Sequence, residues 1–161
     1  MNALDVVRYG HLTFLGSLDK CTVDQVANPG ACGIWSVKDI VAHLASYEIV
    51  LVGILDEAAG LGPNQTLDRF RDPESDFNDS EVARRRDQRY DDVLGELNGA
   101  QATVLTRVSG FTPEHLRRPG TIPWYGGDYA LDDLIVYMYY GHKREHTAQI
   151  AAFHASGSSS Q

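Results

Sequence analysis

Apolar residues recur at three- and four-residue steps along four long stretches of this chain, and nowhere do they sustain a two-residue alternation with polar ones. Such a pattern fits helices that each bury one face, and it gives strands no signal. The first stretch, 2–18, sets Leu4, Val7, His11, Phe14, Leu15 and Leu18 on one face. The second starts at Ser36, a good N-cap after Trp35, and runs to about residue 59, where Gly60-Leu61-Gly62-Pro63 stops it. A third covers about 79–108 through Tyr90, Val93, Leu94, Leu97, Val104 and Leu105, with Gly95 and Gly99 weakening it inside. The fourth, about 130–153, carries Leu131, Leu134, Ile135, Met138, Ile150 and Phe153.

Long linkers separate these stretches: 60–78 contains Pro63 and Pro73, and 110–129 contains Pro113, Pro119 and Pro123. Thr112 followed by Pro113 predicts one short helical turn there. The one Asn-Gly pair, Asn98-Gly99, falls inside the third helical stretch and separates no strand-like runs, so there is no hairpin signal, and there is no internal repeat. Four long helices without a sheet predict an all-α four-helix bundle with long interhelical loops, which permit crossed or simple up-and-down connections. At 161 residues the chain makes one domain, 1–155, with the Ser-rich 156–161 as a flexible tail.

The formal net charge is −8 and the pI near 5.1, which excludes a nucleic-acid or anionic-lipid partner, since either needs a basic surface. The longest apolar run, Leu134 to Tyr140, is too short to span a bilayer, and the first residues lack the basic start of a signal peptide. Cys21 and Cys32 form no CxxC pair; two reduced thiols are expected, with a single disulfide as the alternative. A soluble cytoplasmic protein follows.

The composition does not account for six histidines. His142 and His146 stand four residues apart, on one helical face, in line with Leu131, Ile135 and Met138 before them and Ile150 and Phe153 after. Both therefore point into the bundle, where an unsatisfied ring nitrogen costs roughly 1–3 kcal/mol. Buried carboxylates or carbonyls can satisfy such rings; for a pair at this spacing, a shared metal ion stands level with them. Glu145 directly precedes the second histidine, so this is not the HExxH arrangement of a metalloprotease. A third ligand is available in His43, with Asp39 one turn earlier to orient its free nitrogen, and His11 stands in reserve. His115 and His154 read as solvated or capping residues.

The segment Trp35-Ser36-x-x-Asp39-x-x-x-His43-Leu44, with the closing His142-x-x-x-His146 followed by Thr147-Ala148-Gln149-Ile150, resembles the DinB-like superfamily of metal-binding four-helix bundles. Its YfiT-like and thiol-dependent transferase branches belong to the same superfamily. The resemblance covers essentially the whole chain in helix order and loop placement. It implies a three-histidine site made by His43, His142 and His146 for one divalent ion, zinc or nickel ahead of iron or manganese. It also implies a homodimer, for which Val136, Tyr137, Tyr139 and Tyr140 offer an extra apolar face.

Three neutral ligands leave an ion its charge and an open position, the layout of a catalytic site. That position suits a water or a low-molecular-weight thiol, and the resemblance favours the thiol. The expected function is therefore a metal-dependent thiol S-transferase or related detoxification enzyme acting on a small-molecule substrate. A metal-dependent hydrolase and a non-catalytic stress-related binding protein are the alternatives. Tyr47, Glu48 and Asp39 are the candidate catalytic residues beside the metal. The loop Thr121–Tyr129 reads as an aromatic cap or a lid whose Trp124 and Tyr125 line the cofactor site. The run Arg84-Arg85-Arg86 with Arg89 reads as a solvated face; alternatively one arginine, Arg86, turns inward to hold a carboxylate of the substrate or thiol.

Overall fold

A computed structural model describes residues 2–158. Helix α1 (Ala3–Leu18) begins where the Asn2 side chain accepts from the Leu4 and Asp5 amides. A five-residue helix α2 (Val23–Ala27) follows, opened by a Thr22–Gln25 capping box. Then come strands β1 (Pro29–Cys32) and β2 (Trp35–Ser36), antiparallel, with Pro29 opposite Ser36 and Cys32 opposite Trp35. This hairpin corrects the expectation of no sheet. Its turn is made by Gly33 at φ 58°, a conformation open to glycine that carries no Asn-Gly or Asp-Gly signal.

Helix α3 (Val37–Ala58) is the central element, with Val37, Ile40, Val41, Leu44, Ala45, Val50, Leu51, Ile54 and Leu55 all buried. Ser36 caps it as expected, and Asp39 completes the capping box by accepting from the Ser36 amide and hydroxyl. The polar linker after α3 is not structureless. Asn64 caps a helix α4 (Gln65–Arg71), which drops Leu67 into the core.

The expected single helix over 79–108 is two helices, α5 (Phe77–Arg84) and α6 (Tyr90–Ser109). Arg85 makes the break. Its backbone leaves the helical region at φ −105°, ψ 4°, and its guanidinium folds back onto Glu81 and reaches across to Glu96 on α6. A tertiary ion network therefore overrides a local pattern that continues unbroken through the turn. After α6, Thr112 caps the short helix α7 (Pro113–Leu116) with Pro113 in its first turn, as expected.

The last rod comprises α8 (Leu131–Leu134), a π-helical segment Ile135–Tyr140, and α9 (Gly141–Ser158). The Gly141 amide bonds the Val136 carbonyl, five residues back, closing the wider turn. Helix α9 reaches Ser158, so 156–158 of the expected tail are helical and 159–161 lie outside the described residues.

Helix α3 packs along α6, and α1 packs along α9 and the π segment, giving the four-helix arrangement expected of an all-α chain. Two apolar clusters fill it. One gathers Leu51, Ile54, Leu67, Leu131 and Leu134; the other gathers Phe14, Ile40, Leu44, Leu97 and Ile150. No described helix is long and apolar enough to cross a membrane.

Candidate metal centre

His43 on α3 and His146 on α9 are buried at 3% and 5% exposure, and His142 on α9 is half-buried. Their Nε2 atoms converge: those of His43 and His146 each lie 2.9 Å from His142 Nε2. The three ligand atoms lie within 4.8 Å of one another, so the group could hold one divalent ion. In a tetrahedral zinc site, metal–nitrogen bonds of about 2.0–2.1 Å set histidine nitrogens about 3.3 Å apart, so a slight spreading of the rings suffices.

The protonation states favour the same reading. Burial, reinforced by His142 and His146, lowers the His43 pKa to about 2. Burial lowers that of His142 to about 4, with His146 and Lys143 adding to it. His146 is lowered by burial, with Gln149 and Glu145 acting against it. All three are thus neutral near pH 7, as metal ligands must be. His146 Nδ1 lies 2.8 Å from Gln149 Oε1.

The ring of His43 is held between Trp35 and Tyr47, with centroids 4.9 and 4.7 Å away. Tyr47 also lies 4.6 Å from the His142 ring. Its hydroxyl donates to Asn78 Oδ1 at 3.3 Å, and Trp35 Nε1 donates to Asp79 Oδ1 at 3.1 Å, so two aromatics beside the histidines are tied to the first turn of α5. From Tyr47 the aromatic contacts continue to Phe70, Phe77 and, through Phe70, to Trp124.

Of the three candidate catalytic residues, the structure brings only Tyr47 against the histidine rings. Asp39 does not orient His43: its carboxylate serves the capping box, and His43 Nδ1 is buried with no partner among the described residues. Helix capping explains the choice, because an acceptor at the third helical position is drawn to the free amides of the first turn. Glu48 is buried and paired with Lys143 at 2.7 Å.

His11 bonds Asn98 at 2.9 Å and stands outside the histidine group. His115 packs on Phe111, and His154 bonds Gln25 at 3.1 Å. Arg86 is exposed, and its carbonyl accepts from Lys38. The inward arginine is Arg85, taken up by Glu81 and Glu96; among the described residues the ion pairs of the run go to Glu81, Glu96 and Asp91. Trp124 meets Phe70 edge-on and lies 5.2 Å under Arg71, while Tyr125 sits one contact farther out against Trp124 and Tyr129. Tyr139 belongs to the chain's own core, leaving Tyr137 exposed and Val136 and Tyr140 half-buried on the face offered for a second copy.

Sequence reasoning missed Gln149 and Lys143. Gln149 stands three residues after His146, the spacing that lets a side chain reach back to it along a helix. Lys143, next to His142, is buried.

A family model described as the DinB superfamily matches residues 4–150. No curated protein and no solved structure matches the chain.

Proposed function

The chain belongs to the DinB superfamily, and from that premise we propose that it is a divalent-metal enzyme that joins a low-molecular-weight thiol to an electrophilic small molecule. The convergence of three neutral Nε2 atoms on one point, two from buried rings and one from a half-buried ring, carries this reading. His43, His142 and His146 would hold the ion, for which the family resemblance puts zinc or nickel ahead of iron or manganese; imidazole itself accepts several of these metals. When bound, the ion would supply the charge that acidifies a thiol or a water.

The rest falls to the protein's own groups. Half-buried His142 marks the accessible side of the centre. There the Tyr47 hydroxyl can donate to a polar group of the substrate in place of Asn78. Phe70, Phe77 and Trp124 extend an apolar wall from Tyr47 that excludes water around an electrophile. Cys21 and Cys32 are free thiols, in keeping with a reducing cytoplasm. Exposed Tyr9 and Tyr137, on elements that pack together, support homodimerisation through α1 and the π segment.

The test uses protein purified without a nickel column. Elemental analysis should find one divalent ion per chain, and a chelator should lower the melting temperature of the wild type but not of His142→Ala. With a thiol panel and a chlorobimane electrophile, the metal-loaded protein should outpace His43→Ala. Absence of any bound divalent ion overturns the metal reading. Rates equal to those of His43→Ala overturn the transferase reading, and ester hydrolysis without thiol would put water in the thiol's place.

A further inference from the structure

Each ligand ring has a second nitrogen, and what that nitrogen does decides whether Nε2 can bind a metal at all. A neutral imidazole carries one N–H, and the nitrogen that carries it has no lone pair to give. His43 Nδ1 has no partner among the described residues, and its ring is oriented by Trp35 and Tyr47. His146 differs. Its Nδ1 lies 2.8 Å from Gln149 Oε1, and a carbonyl oxygen can only accept. The proton of His146 therefore resides on Nδ1, and Nε2 presents its lone pair towards His142 Nε2, 2.9 Å away.

We propose that Gln149 is the positioning residue of the metal centre, holding His146 in the tautomer that leaves Nε2 free to coordinate. The inference rests on the metal reading above. Gln149 and His146 lie on one helix three residues apart, so α9 fixes the tautomer by itself, without waiting for α3 to dock. A second consequence concerns His142. In the metal-free protein the bare Nε2 of His146 needs a donor, and the atom facing it is His142 Nε2. His142 must then carry its proton on Nε2. Metal entry requires that proton to move to Nδ1 of the same ring, while His146 is already in its binding form. His146 is thus the prepared ligand of the pair and His142 the one that changes.

Two measurements test this. Long-range 15N–1H spectra of the metal-free protein should show His146 protonated on Nδ1 and His142 on Nε2; His146 protonated on Nε2 would overturn the proposal. Zinc affinity, read by competition with a chromophoric chelator, should fall about 10- to 100-fold in Gln149→Leu, which removes the acceptor. It should be restored in Gln149→Glu, which keeps one. Equal losses in both variants, with circular dichroism unchanged, would reduce Gln149 to a packing residue and overturn the proposal. If wild-type protein takes up no zinc, the metal reading fails while the spectra still decide the tautomer.

Discussion

The Lys143 ammonium lies 2.7 Å from Glu48 Oε1, and both side chains are almost wholly buried. Lys143 also donates to Gln101 Oε1 at 2.7 Å, and Gln101 in turn donates to the Val7 carbonyl at 3.1 Å. One cation thus links α9, α3, α6 and α1, one residue away from His142. A buried pair of this kind contributes little over an apolar pair of the same shape, yet losing one partner strands the other charge. Lys143→Met alone should destabilise the protein by about 3–5 kcal/mol, and Glu48→Leu alone similarly. The double variant should recover most of that loss in a urea titration. Additive losses would show that the two charges are independently solvated.

This network also marks where the sequence stopped being legible. Ser36, Thr112-Pro113 and the stripe through His142 and His146 could be read locally, because caps and face periodicity are set by neighbours within a few residues. His43 could be read from its place beside the apolar stripe of the second helical stretch, and the resemblance to a family then joined it to His142 and His146. Lys143 could not be read: its partners come from α3 and α6, and nothing near it in sequence signals burial. The break at Arg85 was hidden for the same reason, since Glu96 on the following helix stabilises a turn that no Gly or Pro announces. The π segment lay inside an apolar run that reads equally well as ordinary helix.

That segment carries Tyr139, whose hydroxyl is buried with no partner among the described residues. An unsatisfied buried hydroxyl costs roughly 1–3 kcal/mol, and phenylalanine fills the same space without it. Tyr139→Phe should therefore stabilise the protein by about 1 kcal/mol, a rise of about 2–4 °C in melting temperature for a chain of this size. A fall instead would mean that the hydroxyl is hydrogen-bonded in solution.

Two glycines of α1 should respond oppositely to alanine. At Gly16 a Cβ meets nothing within 4 Å, so Gly16→Ala should gain about 0.8–1 kcal/mol of helix propensity. At Gly10 the Cβ would fall 2.7 Å from Tyr140 Cδ2. Gly10→Ala should lose about 1–3 kcal/mol as the tyrosine ring is displaced from α1. Thermal melts of the two variants side by side check the pair, and a stabilised Gly10→Ala would show that Tyr140 does not pack there.

His11 gives the chain a dependence on acid that is separable from the candidate metal centre. Burial, aided by Lys143, lowers its pKa from 6.5 to about 4, against the opposing bond to Asn98. A depressed folded pKa means that the unfolded chain takes up the proton first, so stability falls as pH drops. The contribution is fully present above pH 6.5, declines through the interval down to about 4, and is gone below it. The lowered values of His43, His142 and His146 carry the same sign, so metal-free wild type should lose stability steadily below pH 6.5. His11→Leu removes one titrating group, leaving Asn98 to solvent, since Asn98 is exposed. Urea titrations of chelator-treated protein from pH 8 to pH 4 should show a shallower decline for His11→Leu than for wild type. Parallel curves would mean that His11 titrates in the folded state as it does in the unfolded chain, and that burial does not keep it neutral.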